Sequence, residues 1–100
     1  MSLSAAQEDY LEAILILQDK QKNVRIKDVA DFMEVKAPSV NEAMNNLKNL
    51  GYIEQQPYGS LGLTSEGLSR AKEIYSRHNA LKKFFHSVLG IEETLAEEDA

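Results

Sequence analysis

Apolar residues recur at helical spacing near the start of the chain. Tyr10, Ile14 and Leu17 fall on one face, with Leu11 and Leu15 beside them, which predicts a helix from Ala5 to about Lys20. Ser4 followed three residues later by Gln7 reads as the capping box that opens it. The run Ala13-Ile14-Leu15-Ile16-Leu17 is apolar all round, the mark of a helix covered on more than one side, here by a later helix or another subunit. After a polar connection from Asp19 to Asn23, two shorter helical patterns appear. The first spans roughly Lys27 to Met33, with Val29, Ala30, Phe32 and Met33 facing inward. Glu34-Val35-Lys36 makes the turn, with Val35 as its apolar plug. The second runs to about Leu50 with Val40, Ala43, Met44 and Leu47 inward. Pro38 suits its first turn, where a missing N–H costs nothing, and Gly51 ends it. Tyr52 to Gln56 and Leu61 to Leu63 read as strands around the turn residues Pro57-Tyr58-Gly59-Ser60. Thr64 caps a last helix from Ser65 to about Leu89, ended by Gly90. Leu68, Ala71, Ile74 or Tyr75, His78, Leu81, Phe85 and Val88 are spaced along it. That helix would be about 37 Å long, leaving Phe84, Phe85 and Leu89 exposed unless something covers them.

Helix, helix, turn, helix, two-strand hairpin and long helix is the order of a winged helix-turn-helix, so the fold class is mainly α with a small β-hairpin. Residues 1–64 form the expected DNA-binding unit, and residues 65–100 hold the long helix and a short acidic end. The best-known use of this motif places the third helix in the DNA major groove.

Composition narrows the class. One hundred residues with 43% hydrophobic content support one small core. The absence of cysteine excludes disulfides, thiolate metal sites and a cysteine nucleophile. No apolar run is long enough for a signal peptide or membrane span, and the expectation is a cytoplasmic protein. The net charge of −5 is uneven: five of the 16 acids lie between Glu92 and Asp99, and the rest of the chain balances 11 acids with 11 bases. A neutral body gives no compositional support for nucleic-acid binding, which would depend on local placement of Lys and Arg.

The outward face of the third helix carries Ser39, Asn41, Glu42, Asn45 and Lys48. Asn suits adenine edges, Ser several bases, and Glu42 can accept from cytosine N4; Ala37 and Pro38 fit thymine methyls. Lys27, Lys36 and Lys48 can reach phosphates, as can a wing carrying Tyr58 and Ser60. The plain alternative is a solvated face. Asp9 and Glu12, three apart on the first helix, share a face that borders the apolar segment. They read either as a solvated acidic edge or as a pair that wants a cation. His78 sits on the apolar stripe of the last helix and His86 off it, so His78 is either a satisfied core histidine or an imidazole available to that cation. Two carboxylates and an imidazole suit manganese or iron(II). There is no glycine-rich phosphate loop and no catalytic triad, so no enzyme is expected.

The ordered segments Glu8-Asp9-Tyr10-Leu11-Glu12-Ala13-Ile14, Val29-Ala30, Pro38-Ser39-Val40, Leu50-Gly51-Tyr52-Ile53, Leu63-Thr64-Ser65-Glu66-Gly67, Arg77-His78 and Leu89-Gly90 make the chain resemble one family. It is the diphtheria-toxin-repressor/manganese-transport-regulator (DtxR/MntR) family of metal-dependent transcriptional repressors, in its N-terminal portion. The resemblance implies a homodimer that binds a divalent metal and then fits both recognition helices to a palindromic operator in double-stranded DNA, repressing metal-uptake genes. It puts metal ligands at Asp9, Glu12 and His78, with Mn2+ favoured over Fe2+ because the iron-sensing branch typically has methionine at the position of Asp9. By register the family's remaining ligands would begin just after Ala100, so the chain holds half of that site and the start of the metal-binding and dimerisation region. Lys82 and Glu97 stand where the iron branch has ancillary ligands, and no second site is expected. Two other readings fit the residues: a winged-helix DNA-binding regulator without metal control, and a winged-helix module that binds protein.

Overall fold

The computed structural model describes residues 3–89; the expectations for Gly90, the acidic run from Glu92 to Asp99, and Glu97 lie outside them. The element order is α1 Ala5–Lys20, α2 Ile26–Met33, α3 Ala37–Asn49, β1 Ile53–Gln55, a 3-10 turn at Pro57–Gly59, β2 Leu61–Leu63 and α4 Ser65–Leu89. The winged helix-turn-helix expected from the sequence is the fold observed.

Local chemistry explains most boundaries. Ser4 accepts from the Gln7 backbone N–H at 3.1 Å, and the Ser4 N–H donates to the Gln7 side chain at 2.9 Å, the capping box in full. The α2 stripe is Ile26, Val29, Ala30 and Met33, at i, i+3, i+4 and i+7. Phe32 lies off that stripe and is 43% exposed, so it does not face inward as expected. The turn after α2 is also closed differently from the expectation. Glu34 takes the left-handed conformation (φ 57°, ψ 45°), and the Val35 N–H donates to the Ala30 carbonyl at 3.0 Å. Backbone, not a plug, makes this turn, and Val35 is 37% exposed.

β1 and β2 pair antiparallel in the register Ile53–Leu63, Glu54–Gly62 and Gln55–Leu61. Val24, just past the stretch expected to be a simple connection, adds an isolated bridge: the Leu61 N–H donates to its carbonyl at 2.7 Å, and Val24 is buried. The core joins Tyr10, Leu11, Ile14 and Leu17 of α1 to Val29 and Ala30 of α2, Val40, Met44 and Leu47 of α3, both strands, and Ala71 and Ile74 of α4. Past Ile74 the apolar stripe of α4 leaves the core: Leu81, Phe84, Phe85 and Val88 are exposed, Phe84 and Phe85 as the helix length predicted, while the Leu89 side chain lies outside what the structure describes. No helix among the described residues is long and apolar enough to cross a membrane.

The junction of the wing with α4 is tight. Thr64 Oγ1 accepts from the Gly67 N–H at 3.0 Å, which caps α4, and donates to the Gly51 carbonyl at 2.7 Å. A Cβ on Gly67 would collide with the Tyr52 carbonyl oxygen. Gly67→Ala is therefore expected to destabilise the fold by about 2 kcal/mol, lowering Tm by roughly 10 °C for a domain this small. Thermal unfolding followed by circular dichroism checks this; an unchanged Tm contradicts the tight junction.

Candidate metal centre and nucleic-acid interface

α1 and α4 pack side by side, and the faces they turn to each other carry charge at the rim. On α1, Glu8 and Glu12 are one turn apart; on α4, Arg70 and Arg77 are two turns apart, and His78 is next to Arg77. His78 Nδ1 lies 3.0 Å from Glu12 Oε1 and 3.1 Å from Oε2. Against an ionised carboxylate, which only accepts, Nδ1 carries the proton in this contact. Glu8 Oε2 meets Arg77 at 2.9 Å and Arg70 at 3.5 Å, and Arg70 also pairs with Glu73 at 2.6 Å. The Glu8 hydrogen bond, and then its charge, raise the Arg77 guanidinium above its already high pKa.

The structure thus brings Glu12 and His78 together and leaves Asp9 apart. Asp9 is exposed on α1, and among the described residues no three His, Cys, Asp or Glu side chains gather closely enough to hold a metal ion. In type, the donors fit a hard divalent cation: carboxylate oxygens with one imidazole nitrogen. In number, two are assembled and the third stands three residues away along the same helix. His78 is neither a buried core histidine nor free, since its side chain is 39% exposed and paired to Glu12. Glu8, Arg70 and Arg77 join the rim without having been candidates on sequence grounds. The available signal for Glu8 is its spacing of four from Glu12, which puts both on one face; the tertiary pairing itself is not legible in a single helix.

The second surface is the outward side of α3. Ala37, Pro38, Ser39, Asn41, Glu42, Asn45 and Lys48 are all exposed, as are Lys27 and Lys36, so these candidates share accessible ground around one helix. Tyr58 projects at the hairpin tip, 91% exposed. Ser60 does not join them. It is buried, with its hydroxyl 3.4 Å from the Gln56 side chain, and it serves the hairpin rather than its surface.

An exposed helix set on a helix-turn-helix with a wing at its side defines a winged-helix protein. Residues 2–61 match the iron dependent repressor N-terminal DNA binding domain, and residues 64–100 match the iron dependent repressor metal binding and dimerisation domain. The chain belongs to the iron-dependent repressor family, a family of DNA-binding transcriptional regulators and not of enzymes. It is 32% identical over 99 residues to an uncharacterized HTH-type transcriptional regulator of Methanocaldococcus jannaschii, covering 98% of this chain and 79% of that one. It is 32% identical over 87 residues to the HTH-type transcriptional regulator MntR of Shouchella clausii, covering 87% and 60% respectively. The structure of T. acidophilum IdeR superposes with a TM-score of 0.79 at 26% identity, over 92% of this chain and 42% of that one.

The rim contacts predict an order of effects. Glu8 serves two guanidiniums, whereas Arg77 pairs with Glu8 and feels the Glu73 charge only weakly, and Arg70 keeps Glu73 if Glu8 is lost. Glu8→Gln should lower Tm more than Arg77→Gln does, with both differences shrinking at 1 M salt, about a 3 Å screening length. Paired melts at low and high salt read this directly, and equal, salt-independent shifts would count against it.

Proposed function

We propose that this protein is a divalent-metal-responsive repressor, of the manganese type, that binds a palindromic DNA operator as a homodimer and controls metal-uptake genes. The observation that carries the reading is the meeting of Glu12 on α1 with His78 on α4 at 3.0 Å. A carboxylate and an imidazole from two helices converge, and His78 lies within the region matching the family's metal-binding domain. Asp9, on the same helix as Glu12, is the third donor. When bound, the cation supplies positive charge that holds acidic side chains and imidazole together. The residues do the rest: Glu12 and His78 already face each other, and Glu8 is kept out of the donor set by Arg77 and Arg70. Two carboxylates favour manganese or iron(II) over softer metals.

On the DNA side, Ser39, Asn41, Glu42 and Asn45 offer donors and acceptors for base edges, with Ala37 and Pro38 for thymine methyls. Lys27, Lys36 and Lys48 take phosphates. The exposed Leu81, Phe84, Phe85 and Val88 of α4 support a homodimer, because a surface this apolar wants a partner. Metal acts by binding one arrangement better than another, and that difference caps the shift it can produce.

Titrating labelled operator, selected by the protein from a random duplex library, with and without manganese tests this. Manganese should tighten binding at least fivefold, roughly the lower range of allosteric coupling. His78→Ala and Glu12→Gln should abolish the manganese effect while leaving the metal-free affinity near wild type. Equal affinities in both conditions would leave a winged helix without metal control. No salt-dependent binding at all would point to a protein partner instead.

A further inference from the structure

The rim between α1 and α4 carries fixed positive charge beside the two donors it assembles. Glu8 and Glu12 stand one turn apart on α1, about 6 Å along its axis. Both turn toward α4, yet they meet different partners. Glu12 meets the His78 imidazole, whereas Glu8 is held by the Arg77 guanidinium at 2.9 Å and reached by Arg70 at 3.5 Å. Arg77 is the residue before His78, so a permanent cation adjoins the imidazole in the chain.

The pairing has a direction. Glu8's hydrogen bond, and then its charge, raise the Arg77 pKa, so this cation does not leave by losing its proton. The Glu8 side chain is 19% exposed and that of Arg77 46%. The carboxylate is the sheltered partner, and the arginine is the one that can swing into solvent. In this arrangement a positive charge already occupies part of the acidic edge that a metal ion would use.

We propose that Arg77, with Arg70 behind it, is a tethered counter-cation that sets how much divalent metal the rim takes up. The guanidiniums neutralise Glu8, withhold its oxygens from the metal and oppose the incoming charge. This rests on the metal reading above and deepens it, since it assigns a role to positioning residues that need not touch the ion. A tethered charge cannot diffuse away, so a free ion prevails over it only above a certain concentration, and that concentration is the threshold of the response. Glu8 and Arg77 together sum to zero charge. Loss of either one therefore moves the threshold, in opposite directions.

The test uses the full chain with manganese chloride and no DNA, reading Kd from the electron paramagnetic resonance signal of free Mn2+. Arg77→Gln should bind manganese about fivefold more tightly than wild type at low salt, with a smaller gain at 1 M salt. Glu8→Gln should bind about fivefold more weakly. The double variant Glu8→Gln/Arg77→Gln restores the charge balance and should return to within about twofold of wild type. Arg77→Lys keeps the charge and should bind as wild type does. Arg77→Gln also loses an ion pair and melts lower, so its tighter binding cannot be an effect of unfolding. An Arg77→Gln affinity equal to or below wild type overturns the proposal and leaves the cluster as a contact that sets helix register. A double variant that keeps the full gain of Arg77→Gln also overturns it, because Arg77 then acts without Glu8. Wild-type protein that binds no manganese at millimolar concentration removes the metal reading, and the proposal with it.

Discussion

The packing of α4 on α1 is the constraint on which the rest of the architecture depends. Leu11 and Ile14 of α1 and Ala71 and Ile74 of α4 belong to one core, all of them essentially inaccessible to solvent. At about 25 cal/mol per Å2 of apolar surface, burial of this kind outweighs anything the surrounding half-exposed ion pairs contribute. The apolar contact sets how close the helices come, and the rim contacts set their register. Glu8 against Arg70 and Arg77, and Glu12 against His78, can form together only when the two helices stand in one longitudinal and rotational relation. Within the proposed function, the donors for a cation are therefore placed by Leu11, Ile14, Ala71 and Ile74, which carry no donor themselves.

That constraint reaches the DNA-facing side through the start of α4. Thr64 binds both the carbonyl of Gly51, just past α3, and the first turn of α4, while Gly67 lies against the Tyr52 carbonyl. α3 and α4 are thus joined at their ends by a contact with no slack, and α1 packs against both. A change in how α1 and α4 grip each other cannot be absorbed at that joint. Within the proposed function, this is why a cation at the α1–α4 rim has leverage over a recognition helix it does not touch. The leverage requires a second arrangement of nearly equal energy, since packed helices switch between states rather than deform continuously.

Elements are legible in the sequence wherever local chemistry decides them. The Ser4–Gln7 box, the Thr64 cap, the α3 stripe of Val40, Met44 and Leu47, and the turn residues of the wing each act within a few positions of themselves. The misreadings are tertiary. Phe32 is hydrophobic but lies off the stripe of its own short helix, and Val35 has the chemistry of a plug in a turn that the left-handed Glu34 closes by itself. Ser60 reads as a surface hydroxyl in a turn-rich run, yet a hydrogen bond to Gln56 draws it inside. The bridge from Val24 to Leu61, just past the expected connection, is likewise a tertiary contact that no local pattern announces. For the candidate site, facing stripes and family resemblance are enough to pair Glu12 with His78. The Glu8–Arg70–Arg77 cluster depends on the register between helices, which no single-helix pattern contains. Spacing groups Asp9 with Glu12, but it fixes only the helix face and not the direction of the side chain.

Charge placement then shapes what kind of DNA binding is open to this chain. With acids and bases balanced along most of its length and no cation between Asn49 and Ser69, non-specific attraction to phosphate is weak. A strongly basic wing would raise affinity for all duplexes alike. A neutral one raises the fraction of affinity that depends on fit, which under the proposed function falls to the amides, hydroxyl and carboxylate along the outer face of α3. Fit of that kind is sensitive to the spacing of two recognition helices in a dimer, because each half-site must be met in register. A regulator that relies on geometry more than on charge can be switched by a small change in geometry, and under the proposed function the rim between α1 and α4 is where that change is imposed.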